Sequence, residues 1–210
     1  MADMQPYLPY IIPAIATVVV TIISSLTTLL GVYLKERYFP KVKKQKLSID
    51  KSTCYIELDK ICASIRDIVK ANHVYIAYFH NGGHFINGVA MDKYTVVGED
   101  YDIHCKSVKK SFKDILVNNF PYLFHDLLTR NRHWINVVSD KTMQDKSYKE
   151  DLETRHMNSA YTFLIKDPLA DTPLGFISLE YNNPNGFDED NEKYIWKKQN
   201  TIAKLLNMNK

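Results

Sequence analysis

From Ile11 to Leu34 the chain carries no charged residue. As a helix those 24 residues would extend about 36 Å, more than the roughly 30 Å of a bilayer's hydrocarbon core. Pro6, Pro9 and Pro13 crowd the start of the run, where proline is tolerated. Tyr7 and Tyr10 at one end, and Tyr33, Tyr38 and Phe39 at the other, fit interfacial aromatic belts. The run is too long for a cleaved signal peptide, and no Lys or Arg precedes it. The sequence therefore predicts a short tail over 1–10, a transmembrane helix over 11–34, a basic linker over 35–47 and a globular domain over 48–210.

Charge fixes the expected orientation. Lys35, Arg37, Lys41, Lys43, Lys44 and Lys46 stand against Glu36 alone in residues 35–46. Basic flanks stay cytoplasmic, so the N-terminus is expected outside the inner (cytoplasmic) membrane and the globular domain inside. The formal net charge of +3 is thus a property of the linker, and residues 47–210 are nearly neutral. A near-neutral domain lacks the clustered cations of a nucleic-acid-binding face, so no nucleic-acid partner is expected. Lys109, Lys110 and Lys113 read as a solvated helix face. Cys54, Cys62 and Cys105 form no C-x-x-C pattern, and an odd, sparse count fits a reducing compartment.

Two stripes predict helix packing. Ala14, Thr17, Thr21, Ser24, Thr28 and Gly31 recur with a 3.5-residue period. Small residues let helix backbones approach in lipid, and that period gives a left-handed crossing. Leu58, Ile61, Ile65 and Ile68 continue the same spacing from Cys54 within a helix expected over 48–71. Together the stripes predict a parallel homodimer, with membrane lipid and a second copy of the chain as partners. The alternative is that the second stripe packs only on the domain's own sheet.

Beyond residue 71 the pattern becomes mixed. His73–Phe79 alternates in a β-rich run, and a second strand is expected over Val89–Val97. The turn signals His80-Asn81-Gly82-Gly83 and Asn87-Gly88 lie between them. Val108, Phe112, Ile115 and Leu116 predict a helix over 107–119, broken by Pro121 and followed by a short helix to Thr129. A short strand is expected over 134–138 and a polar surface helix over 145–156. Ser159–Lys166 and Leu174–Tyr181 form a hairpin about the turn Pro168–Thr172. Asp188 then caps a final helix with an acidic first turn and one apolar face at Ile195, Ile202, Leu205 and Leu206.

The end of the chain resembles a GAF domain. The resemblance rests on Met157–Leu206. One strand leads by a turn to Leu174-Gly175-Phe176-Ile177-Ser178-Leu179, followed by a polar loop, Phe187, the acidic cap Asp188-Glu189-Asp190 and a closing helix. It implies an α+β fold, a GAF-like antiparallel sheet flanked by helices, here preceded by one transmembrane helix. It also implies a small-molecule sensor or interaction module whose first and last helices form a dimer interface. The turn from His80 to Gly88 is similar to that in small membrane proteins of tailed phages and bacteria.

In such a fold the loop carrying His80, Asn81, His84, Phe85 and Asn87 borders a ligand cavity, which makes these the candidate ligand-binding residues. The bland reading is a surface turn in which Asn and Gly satisfy backbone geometry. His80, His84 and His104 do not converge with Cys or carboxylate in a metal-ligand spacing, so no metal is expected. Cys105 follows His104, but neighbours on a strand point to opposite faces, and no catalytic residue is assigned. Tyr75, Tyr78, Phe79, Tyr94 and Tyr161 are expected in the sheet core. Nothing in the sequence identifies a cofactor. The leading expectation is a membrane-tethered, homodimeric, non-catalytic sensor. A holin-type or lysis-control protein and a GAF-type redox enzyme are the alternatives.

Overall fold

Alternation sets the architecture. In β5 (Ser159–Lys166) and β6 (Pro173–Tyr181), nearly every residue is buried, which requires cover on both faces of the sheet. The computed structural model describes residues 20–31, 33, 49–84, 90–136, 146–184 and 187–208. The chain divides into two compact units, Met1–Lys46 and Leu47–Lys210.

In the first unit, helix α1 is described over residues 20–31. Val20, Ile22, Ile23, Leu26, Leu29 and Leu30 are all exposed on it. The hydroxyls of Ser25, Thr27 and Thr28 donate to carbonyls of the preceding turn, so the helix satisfies these three polar side chains itself. Residues 11–19, 32 and 34 of the span expected over 11–34, Ala14 and Thr17 among them, lie outside the described residues. Among those described, no helix is long and apolar enough to cross a membrane.

The second unit runs α2 (Ile49–Val69), β1 (His73–His84), β2 (Ala90–Tyr101), β3 (Ile115–Leu116), a 3-10 turn (Val117–Asn119), α3 (Pro121–Arg130), β4 (Arg132–Asn136), α4 (Lys146–Thr154), β5, β6 and α5 (Glu189–Asn207). The strands form one antiparallel sheet in the order β3-β2-β1-β6-β5-β4. Helices α2 and α5 cover one face, where Leu58, Cys62, Ile65, Ile195, Ile202 and Leu206 meet Val74, Ile76, Ile177 and Leu179. The other face lies under α3, α4 and the segment 102–114, over an aromatic core of Tyr75, Tyr94, Phe112, Phe124, Tyr148 and Phe176.

Two glycines mark close approaches. A Cβ at Gly175 would lie 2.0 Å from the carbonyl oxygen of Ala77, so only glycine allows β6 to pair with β1 at this point. At Gly98 a Cβ would sit 2.8 Å from that of Leu58, so this glycine lets α2 lie down on β2.

The structure revises two expectations. The α2 positions buried on the sheet are Cys54, Leu58, Cys62, Ile65 and Val69. Leu58 and Ile65 of the expected stripe are therefore spent on the domain's own core. Ile61 packs at its margin and Ile68 is 51% exposed. A straight helix drifts away from a 3.5-residue repeat, and the sheet selects Cys62 and Val69 over Ile61 and Ile68. The second revision is at 107–119, which holds a loop, the two-residue β3 and a 3-10 turn in place of a helix. Val108 and Phe112 are buried anchors of that loop, and Asp114 at φ 57° ends any helical run. Lys109 accordingly sits on no helix face; its ammonium donates to the Asp59 carboxylate at 2.8 Å.

Candidate functional site

At the far end of the β1–β2 hairpin, the sheet and α3 diverge and leave a cavity of about 330 Å³. It is lined by Phe79, His80 and Asn81 of β1, Asp92 and Lys93 of β2, Val117, Phe124 and Leu128 from the 3-10 turn and α3, and Pro173 at the start of β6. The register explains the gathering. His80 pairs with Lys93 and Asn81 with Asp92, so the hairpin presents two polar cross-strand pairs where the aromatic core stops. The floor is that core, in which the Phe79 ring lies 5.8 Å from Phe124 and 5.7 Å from Phe176.

His80 and Asn81, both expected at a ligand site, are brought together here. The His80 imidazole is hydrogen-bonded to the Thr95 hydroxyl at 2.9 Å, and Thr95 Oγ1 also accepts the Asp114 amide. Phe85 and Asn87 lie outside the described residues, and His84 is described only in its backbone. Sequence reasoning missed Asp92, Val117, Phe124, Leu128 and Pro173. Strand alternation through Tyr94 could have pointed to Asp92; the α3 residues become neighbours only through the tertiary fold.

A second polar constellation lies at the opposite end of the sheet. Both nitrogens of the buried His73 face carboxylates, Glu180 at 3.1 Å and Glu99 at 3.0 Å. Ionised carboxylates only accept, so the imidazolium, with a proton on each nitrogen, is the form of the ring that satisfies both bonds. Arg155 forks onto both Glu180 oxygens and onto Asp151. Glu99 also accepts the Ser107 hydroxyl at 2.7 Å and the Val108 amide. Burial alone would raise Glu180, but Arg155 and His73 outweigh it and hold the carboxyl down at about 2. Burial likewise opposes the charge on His73, and the two carboxylates reverse that and raise it. Each of these charges is answered by another, which makes the cluster a clasp joining β1, β2, β6, α4 and the segment after β2.

A smaller hollow of about 230 Å³ beside this clasp is lined by Asn72, Asp102, His104, Cys105 and Arg155 among others. Burial pushes the Cys105 thiol up, with Asp102 adding to the effect, the reverse of what a reactive thiolate needs. Cys54 and Cys62 are buried, and none of the three cysteines lines the hairpin cavity. A third hollow, of about 430 Å³, lies along the edge strand β4 by Trp134, Tyr161 and Phe187; the Arg132–Glu192 ion pair at 2.8 Å lies at it. Among the described residues no three His, Cys, Asp or Glu side chains gather as a metal site.

The sequence matches no protein-family model and no curated protein. Solved structures match well. The GAF domain region of a putative membrane protein from Geobacter sulfurreducens PCA aligns with 76% of this chain and 96% of its own, at a TM-score of 0.54 and 14% identity. The phycoerythrobilin-bound GAF domain of a cyanobacterial phytochrome aligns over 76% and 96%, at 0.52 and 14%. The fold is that of a GAF domain. The type II free methionine-R-sulfoxide reductase of Thermoplasma acidophilum aligns over 77% and 96%, at 0.56 and 12%. At such identities the likeness concerns the fold, and neither the pigment of one relative nor the activity of another transfers with it.

Proposed function

We propose that this GAF-like domain is a non-catalytic small-molecule sensor or interaction module, tethered to the cytoplasmic face of a membrane and working as a homodimer. The observation that carries the sensing role is the hairpin cavity: an apolar floor with a few polar groups at its mouth, the usual composition of a ligand site. Tethering is supported by the uncharged run from Ile11 to Leu34 and by the exposed apolar side chains of α1. The basic linker supports the orientation. Small residues at Thr21, Ser24, Thr28 and Gly31 support pairing in the membrane, and α2 adds Tyr55, Ile56 and Ile68 as exposed apolar groups among its described side chains. Burial raises the Cys62 and Cys105 thiols, which speaks against a redox role for them.

The test is native mass spectrometry of the full chain purified in lipid nanodiscs. A small molecule should accompany the protein and be lost from the Leu128→Trp variant, in which indole fills the cavity. A molecule retained undiminished by that variant would place binding elsewhere and remove the cavity from the proposal.

A further inference from the structure

We infer that the hairpin cavity selects a small organic ammonium ion, an apolar body ending in a positively charged amine. The inference rests on the reading of that cavity as a ligand site and adds the chemical class. Successive strand residues face opposite sides of the sheet. The contacts of Phe79 with Phe124 and Phe176 place it on the α3 face, and Asn81, two residues on, shares that face. On β2, Tyr94 packs against Phe124 with ring centroids 5.5 Å apart, so Asp92 lies on the same face, directly across from Asn81. His80 and Lys93 alternate to the other side, where the His80 ring holds Thr95.

The lining on the α3 face is therefore apolar at Phe79, Val117, Phe124 and Leu128, with one carboxylate and one amide at the mouth. Neither Asp92 nor Asn81 has a side-chain partner among the described residues, so both acceptors are available to a guest. An ammonium group would donate charge-assisted hydrogen bonds to the Asp92 carboxylate and the Asn81 side-chain carbonyl, while its hydrocarbon covers the aromatic floor. A neutral guest of the same shape forgoes the charge. An anionic guest would meet the Asp92 carboxylate on that face, while Lys93, which also lines the cavity, alternates to the other side.

Calorimetry on the full chain in nanodiscs tests this with three probes of similar shape: 2-phenylethylammonium, 2-phenylethanol and phenylacetate. The ammonium should bind about tenfold tighter than the alcohol, the gain from setting a cation against the carboxylate, and phenylacetate weakest. The exposed substitution Asp92→Asn should remove the preference and bring the ammonium down to the affinity of the alcohol. Leu128→Trp should abolish binding of both. Equal affinities for ammonium and alcohol, or a preference for phenylacetate, would overturn the assignment and leave the cavity a ligand site of another class. If none of the probes binds, the cavity reading and this inference fail together.

Discussion

His73, Glu99, Glu180 and Arg155 exchange protons with solvent only at a cost in stability, and the direction is fixed by their shifts. His73 is raised in the folded chain from an ordinary 6.5, so its contribution is complete below that value and fades as pH rises through the folded value. Glu99 and Glu180 are lowered from 4.5, so their contribution is present above 4.5 and is lost as pH falls, through about 2 for Glu180. Thermal denaturation followed across pH should give a maximum Tm between about pH 4.5 and 6.5 and a decline on both sides. Glu180→Gln leaves Arg155 and His73 without their buried acceptor and should cost about 3–5 kcal/mol, read by urea denaturation. A similar loss on Ser107→Ala would contradict this ranking, since that hydroxyl is exposed and neutral. At Gly175 the cost is steric: Ala would drive its methyl into the Ala77 carbonyl, which should remove about 3 kcal/mol or more in the same measurement.

Elements differed in how openly the sequence declared them. The β5–β6 hairpin and α5 were legible because alternation, turn and cap all agreed: the Asp188 carboxylate accepts the Asn191 amide at 2.8 Å, the N-cap bond its position foretold. Replacing Asp188 by Ala should therefore lower stability by about 1 kcal/mol and fray the first turn of α5 in amide exchange. The segment 107–119 misled because loop anchors at Val108 and Phe112 have the same spacing as a helical face. What distinguishes them is tertiary: Val108 is fixed by Glu99, and the Phe112 carbonyl accepts the Val96 amide. Of the candidate site, the turn residues His80 and Asn81 were visible locally. Phe124 and Leu128 were not, because α3 reaches them to the hairpin only after the chain has folded back over the sheet. The clasp was equally hidden, since His73 and Glu180 meet across more than a hundred residues of sequence.

For the whole molecule, the proposed assembly can be tested at its two ends separately. In a background lacking the native cysteines, single cysteines at Thr21 and Ser24 should crosslink in membranes far better than those at Val19 and Ile22. Equal crosslinking at all four positions would remove the stripe as an interface. Protease added outside intact cells should leave residues 47–210 undigested if the basic linker lies inside. Digestion of the domain under those conditions would reverse the proposed topology.

The antiparallel packing of α2 and α5 brings the start of one near the end of the other; the Cys54 and Met208 sulfurs are 4.0 Å apart. The domain's sequence is therefore close to a closed ring in space. Its opening need not be where the chain has placed it. At the opposite side of that ring, Leu169 stands 97% exposed in the turn between β5 and β6. A circular permutant of residues 49–208, joined by a short glycine-serine bridge and cut at Leu169, should fold to the same sheet order, because neither change disturbs a buried backbone group. With residues 1–48 fused to its new start, such a permutant would move the proposed anchor to the β5–β6 turn, separating where the domain is held from how it is built.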